Sequence, residues 1–187
     1  MKQLNGIGVS PGIAIGKAYL LSNNVGPIEK KEIGKEKVEF EVKRLKRSFS
    51  QTEKEIKEIK EKVKREVSPE EAEIFNLHIL ILHDKKFIED IIKKIKEERI
   101  NAESALSEVA RYYTRTFSRI EDDYLREKEV DIRDVCRRII RNLLGIKKGK
   151  DLKEKVILIA PDLSPCETAS LQKRFVLGFA TEMGSKT

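Results

Sequence analysis

The chain holds two imidazoles, His78 and His83, and their spacing of five residues keeps them off the shared helix face that a metal bound at i and i+4 requires. Neither reads as a metal ligand. Cys136 and Cys166 stand thirty residues apart, which fits neither a disulfide framework nor a CxxC clip, so both read as free thiols. There is no GxSxG elbow, no P-loop, and no carboxylate pair that stands out among the 32 acids. Read from the residues alone, the chain offers little catalysis. What it does offer is a surface for binding. Around His78, the residues Ile74, Phe75, Leu77, Ile79, Leu80, Ile81 and Leu82 cover well over half a turn at about 100° per residue. One neighbouring helix cannot cover so wide an arc. Either the helix is buried on two sides, or it leaves an apolar patch edged with charge for a partner. His78 lies near the middle of the arc, placed either to pack or to meet that partner.

The composition narrows the classes of protein that could carry such a helix. Of 187 residues, 38% are charged, against roughly 25% in an average globular protein, and 39% are hydrophobic, which is enough for a core. The longest apolar run is Val156 to Ala160, far short of the ~18 residues a membrane span needs. Pro11, Gly12, Gly16 and Lys17 interrupt what would have to be the continuous apolar region of a signal peptide, so the expected location is the cytoplasm. The net charge of +7 arises from 39 basic and 32 acidic residues mixed along the chain, the pattern of solvated helix faces. With no Trp and four Tyr, a nucleic-acid surface of basic and aromatic residues is not expected.

Two shifts in composition divide the chain into three. Residues 1–33 hold five of the ten glycines and two of the five prolines, around the short apolar stretches Gly12 to Ile15 and Ala18 to Leu21, and read as strands and turns. Residues 34–146 form a helical block. Its first helix, from near Lys35 to Val67, steps by four and three through Val38, Val42, Leu45, Phe49, Thr52, Ile56, Ile59 and Val63. Ser68-Pro69-Glu70-Glu71 supplies the N-cap, the N1 proline and the N3 glutamate of a second helix that reaches about His83. Asp84 caps a third, which carries Phe87, Ile88, Ile91, Ile92 and Ile95. Asn101 caps a fourth, through Leu106, Val109, Tyr113, Phe117, Ile120 and Tyr124. A fifth runs from Ile132 to Leu144 and stops at Gly145. Residues 147–187 then read as strand, short helix and strand: Val156 to Ala160, a helix opened by Ser164-Pro165-Cys166-Glu167, and Val176 to Phe179. Parallel strands need more sheet than that, and only the N-terminal segment can supply it. The expected fold is therefore α+β and helix-rich: a bundle of two long helical hairpins inserted into a split α/β subdomain. That subdomain is incomplete, since Thr181 to Thr187 lead to no closing element and the chain reads as cut.

Several segments together resemble one family. Gly8-Val9-Ser10-Pro11-Gly12-Ile13-Ala14-Ile15-Gly16-Lys17 closely resembles the start of enzyme I of the phosphoenolpyruvate:sugar phosphotransferase system. Glu73-Ile74-Phe75-x-x-His78, Asp122-Asp123-Tyr124-Leu125, Asp131-Ile132-Arg133-Asp134, Arg141 to Gly145 and Ala160 to Ala169 follow in the family's order and at close to its spacing. The resemblance covers essentially the whole chain. It implies a phosphoryl-transfer protein that takes phosphate from phosphoenolpyruvate onto a histidine and passes it to the carrier protein HPr. The α/β part would be a phosphohistidine subdomain and the helical insertion would dock HPr. The phosphoenolpyruvate and Mg2+ sites would lie in a C-terminal domain outside this chain.

The same resemblance implies site residues. The family's nucleophilic histidine would follow Thr187, so no catalytic histidine is expected among these residues. Thr168, Gly184, Lys186 and Thr187 would lie near it, with Lys186 in place of the usual Arg and Ser185 in place of Gly. Lysine keeps the positive charge but not the bidentate fork. The HPr contacts implied by motif position are Glu70, Glu73, His78, Leu80, Ile81, Asp84, Phe117, Leu125 and Lys128, an apolar centre with a charged rim. Lys85 and Lys86 stand where the family surface is acidic, so either steering toward a basic partner is weaker or the cognate HPr carries compensating acids. Taken alone, the 187 residues are then expected to act as an HPr-docking module without transfer activity.

Overall fold

A computed structural model of the chain describes residues 4–21, 25–117, 123–146, 152–163 and 165–183. It is helix-rich with a small parallel sheet, and its contacts divide it into two units.

In the helical unit, residues 25–148, a 3-10 turn at Lys35–Lys37 leads into α1, Val38–Glu66. The 29 residues of α1 span about 44 Å at ~1.5 Å each. From Val42 to Val63 every seam residue named from the sequence is buried, whereas Val38 at the start is partly open. Thr52, the polar member, is satisfied inside the bundle: its hydroxyl donates to Ser48 O at 2.7 Å and accepts from Asn142 Nδ2 at 2.9 Å. The second helix expected from the sequence is two pieces, α2 (Pro69–Ala72) and α3 (Ile74–Leu82), broken at Glu73. The chain tightens there through bonds spanning three residues, Glu73 N to Glu70 O and Asn76 N to Glu73 O. The Ser68 hydroxyl accepts from Glu71 N at 3.1 Å, as the capping signature requires. Helix α4, Lys85–Glu98, begins with the Asp84 carboxylate accepting from Phe87 N at 2.7 Å.

The residues read from the sequence as one fourth helix fall on two described helices, with Ile120 outside the described residues. Helix α5 is Ala102–Phe117, and Tyr124 belongs instead to α6, Asp123–Leu143. At the other end of α6, Gly145 adopts φ +64°, its N–H bonds Asn142 O and that of Ile146 bonds Arg141 O, the paired closure of a Schellman motif. Helix α1 packs along α6 and against α3 and α4, and α5 packs on α4 and α6. Leu45, Ile56, Phe75, Ile91, Ile95, Leu106, Val135 and Ile139 form the closed core.

Residues 25–33, read from the sequence as part of the strand-and-turn segment, lie on the helical unit as a strap. Asn101 holds the strap on both edges: its backbone N–H donates to Lys31 O and its Oδ1 accepts from Lys31 N, each at 3.0 Å. Its Nδ2 and the Ser104 hydroxyl both donate to Glu29 O. Asn101 stands immediately before α5 with its side-chain oxygen given to the strap, and the Glu41 carboxylate accepts the N–H of Ala102, the first residue of α5, at 2.9 Å. Arg44 lies between Glu41 and Glu103 and also donates to Leu143 O, tying α1 to α5 and to the end of α6. Both carboxylates are buried.

The second unit combines the chain up to residue 24 with that from residue 149. Its strands β1 (Lys17–Leu20), β2 (Val156–Ala160) and β3 (Val176–Thr181) lie parallel in the order β1-β2-β3. Lys17 registers with Val156, and Ile157 with Gly178 after an irregularity beside Val156. Helix α7, Pro165–Ser170, and a 3-10 turn at Lys173–Phe175 connect β2 to β3. Of the N-terminal apolar stretches, Lys17–Leu20 is strand, but Gly12 to Ile15 is not. Gly12 takes φ +127°, and the chain beyond it crosses the sheet closely enough that a Cβ on Gly16 would come within 2.8 Å of Leu177 Cδ1. No helix among the described residues is long and apolar enough to cross a membrane.

Candidate functional site

Seven of the nine residues of α3 are apolar, and the helix packs on α1 and α6. Phe75, His78 and Leu82 are buried and fall on one side at ~100° per residue, with half-buried Ile79 beside them. Ile74, Leu77, Leu80 and Ile81 fall on the other. Leu80 is 67% exposed and Ile74 38%, while Leu77 and Ile81 are half-buried. The wide apolar arc is thus covered on one side and open on the other, and the open side is an apolar strip. Exposed Glu73 lies along this strip and Glu70 just before it. Glu73 accepts from Asn76 Nδ2, and Asn76 Oδ1 accepts from Lys60 at 2.5 Å.

His78, expected as a contact, sits beneath the strip with 2% exposure. Its Nε2 is 3.0 Å from Asp131 Oδ1 of α6, and its ring meets Phe75 edge-on with centroids 5.8 Å apart. With the imidazole neutral, Nε2–H donates to the carboxylate and Nδ1 carries the lone pair. Nδ1 is enclosed without a hydrogen-bond partner among the described residues, and so are Asp134 Oδ2 and Arg138 Nε on α6, which face each other at 3.9 Å. An unpartnered buried polar atom costs ~1–3 kcal/mol, so the imidazole of His78 is retained at some expense in stability. Leu80, Ile81 and Glu70 lie where a partner can reach them, and Asp84 is exposed but engaged as the α4 cap. The side chains of Phe117, Leu125 and Lys128 lie outside the described residues.

Around the strip the charges are largely paired. Lys57 donates to the Glu53 carboxylate and His83 Nε2 lies 3.1 Å from its Oε1; the Lys57 bond first, and that to His83 second, hold the Glu53 carboxyl below its ordinary value. Lys86 pairs with Asp90 at 2.7 Å and holds that carboxyl down as well. Asp90 also accepts from the Tyr113 hydroxyl at 2.9 Å; burial first, and that bond second, push the phenol up to about 12. Cys136 is a free, fully buried thiol pushed up to about 12 by burial, so it is a packing group rather than a nucleophile. Among the described residues no three His, Cys, Asp or Glu side chains gather as a metal site.

In the sheet unit, Thr168 is exposed on α7. Helix α7 starts at the C-terminal end of β2, and Met183 N donates to Pro161 O at 2.9 Å, so the chain leaving β3 passes beside the chain leaving β2. The carboxyl ends of parallel strands are where open α/β sheets assemble their sites. Gly184, Lys186 and Thr187 lie outside the described residues.

Comparison with known proteins gives a consistent result. A family model described as PEP-utilising enzyme, N-terminal, matches residues 5–128. The phosphoenolpyruvate-protein phosphotransferase of Priestia megaterium is 40% identical over 188 residues, covering 100% of this chain and 32% of that protein. The enzyme of the same name from Bacillus subtilis strain 168 is 38% identical, with coverage of 100% and 33%. The chain thus spans about a third of the length of these curated relatives. A solution structure of enzyme I is 42% identical with a TM-score of 0.79, covering 93% of this chain and 71% of that one. The N-terminal domain of a nitrogen enzyme I, 21% identical with a TM-score of 0.71, shares the fold.

Proposed function

Since the chain belongs to the enzyme I family of PEP-utilising enzymes and carries its N-terminal part, we propose that it docks HPr for phosphoryl transfer from phosphoenolpyruvate by way of a histidine. The observation that carries this reading is the open apolar strip of α3, Ile74, Leu77, Leu80 and Ile81, bordered by Glu70 and Glu73. An apolar centre with a polar rim suits a transient protein interface. In this reading the helical unit is the inserted docking bundle, the sheet unit belongs to the split phosphohistidine subdomain, and Phe117, Leu125 and Lys128 extend the docking surface beyond α3. Thr168 orients the phosphoryl-accepting imidazole from α7, while Gly184, Lys186 and Thr187 line the chain beside it. An imidazole nitrogen attacks the phosphoryl group, holds it as a labile phosphoramidate and passes it on, with positioning and electrostatics supplying most of the rate.

These 187 residues hold no counterpart of that imidazole. His78 is enclosed and bonded to Asp131, and His83 is paired with Glu53, both on the helical unit. The Mg2+ that the family implies is assigned, together with phosphoenolpyruvate, to the C-terminal domain. The chain by itself is then a docking module that binds HPr without accepting phosphate.

The test is titration of labelled HPr with the 187-residue chain. Leu80→Ala with Ile81→Ala should raise Kd at least about tenfold, the weight of a central apolar anchor; an unchanged Kd places docking elsewhere. In parallel, intact mass at neutral pH should find no phosphate on the chain after incubation with phospho-HPr. Phosphate on His78 or His83 would contradict the reading.

A further inference from the structure

We propose that His78 and Asp131 form a positioning couple: their bond sets the rotation of α3 on α6, and so decides that Ile74, Leu77, Leu80 and Ile81 face outward, while the imidazole makes no contact with the docked protein. This rests on the docking reading above and refines it.

The first observation is composition. Helix α3 carries apolar residues nearly all round, with Asn76 and His78 its two polar members. Hydrophobic burial is non-directional, so a helix of this kind gains nearly the same burial in several rotations about its axis. Something directional has to choose among them. The second is length, since nine residues are too few to hold a helix without tertiary ties, and no side chain caps its N-terminus at Glu73. The third is geometry. The Nε2 to Asp131 Oδ1 bond of 3.0 Å joins the middle of α3 to α6, and a turn of one residue, about 100°, would break it and put a different set of side chains outside. Exposure of 2% then separates this role from direct contact, because a partner cannot reach the ring while α3 is seated. The orphaned Nδ1 agrees, since His78 keeps one nitrogen unsatisfied in order to keep the other bonded. A buried polar pair retained to fix register is a known use of such groups.

The test needs the 187-residue chain and HPr. His78→Leu and Asp131→Leu should each weaken HPr binding by about fivefold or more, and the double variant should be no worse than the poorer single, because both remove one bond. His78→Gln, which can still donate to Asp131, should recover binding to within about twofold of the parent. If His78 touches HPr instead, Asp131→Leu leaves Kd unchanged, the effects add, and the proposal is overturned. A second measurement needs no variant. In the unmodified chain, imidazole 15N spectra should show Nε2 protonated and Nδ1 bare, unchanged by saturating HPr, while the methyl signals of Leu80 and Ile81 move. A ring nitrogen that changes its bonding on adding HPr overturns the proposal even if every variant misfolds. Should Leu80→Ala with Ile81→Ala leave Kd unchanged, the docking reading fails. The couple is then judged by amide exchange across α3, which Asp131→Leu should speed and His78→Gln should spare; identical exchange in all three chains overturns it.

Discussion

The helical unit and the sheet unit use their apolar residues in opposite ways. Six helices of the first enclose side chains such as Leu45, Ile56, Ile91, Leu106 and Ile139 with no exposure at all. In the second, the central strand β2 buries Val156, Leu158 and Ala160, but Leu20 on β1 and Phe179 on β3 stay 79% and 54% exposed, and Ile13 and Ile15 are more exposed still. The difference is one of layers. A helix with one apolar stripe is satisfied by a few neighbours, whereas a parallel sheet needs cover on both faces. Among the described residues, the first unit is therefore a closed core that presents an apolar strip, and the second leaves edges and faces of its sheet uncovered.

Native-state amide exchange gives the largest test of that contrast. Amides of Val156 to Ala160 should exchange at least about 100-fold faster than those of Val135 to Ile140 on α6, because an uncovered sheet opens without global unfolding. Equal protection would erase the distinction. Truncation should sharpen it: in urea unfolding, Leu106→Ala should cost about 2–5 kcal/mol and Phe179→Ala less than ~1. Charge should behave in the same way. Arg44→Met leaves Glu41 and Glu103 buried without their partner and should cost ~3 kcal/mol, whereas Lys17→Met breaks an exposed pair with Glu154 and should change stability by less than ~1 kcal/mol.

A smaller effect is alkaline. Folding raises the Tyr113 phenol from 10.0 to about 12, so its contribution is complete below the unfolded value near 10 and is lost as pH rises toward 12. Tyr113→Phe should flatten that part of the stability profile, at the cost of the bond to Asp90 at neutral pH. The smallest expected effect is a gain. Arg99 ends α4 at φ +50°, a left-handed conformation that is unfavourable for a side chain, and Arg99→Gly should add up to ~1 kcal/mol in thermal or urea unfolding.

The helical unit was also the more legible of the two in sequence. Seam periodicity located α1, and Ser68, Asp84 and Gly145 marked ends that the backbone bonds bear out, because each of those signals is local. The strands β2 and β3 and their return to the N-terminal segment were readable from an apolar run and the need for a third strand. What escaped was non-local. The strap is held by Asn101, some seventy residues away, and no pattern within 25–33 announces it. The break at Glu73 lacks glycine or proline, so helical phase ran straight through it. Of the candidate site, Leu80 and Ile81 were readable as the exposed side of a wide arc. The burial of His78 was not, because its partner Asp131 lies 53 residues further on and periodicity cannot tell which side of an all-apolar helix faces in.

The strap also has a consequence in time. Its bonds join residues 29–31 to residues 101–104, so the first of these segments is made some seventy residues before the second. At ~5–20 residues per second of synthesis, the nascent chain carries an unpartnered extended segment for about 4–14 s before Asn101 exists to receive it. A translational pause between the codons for Gly34 and Glu98 prolongs that interval, and one after Glu108 does not. Synonymous codon choice over α1 to α4 thus sets the length of that interval, although it changes no residue of the protein.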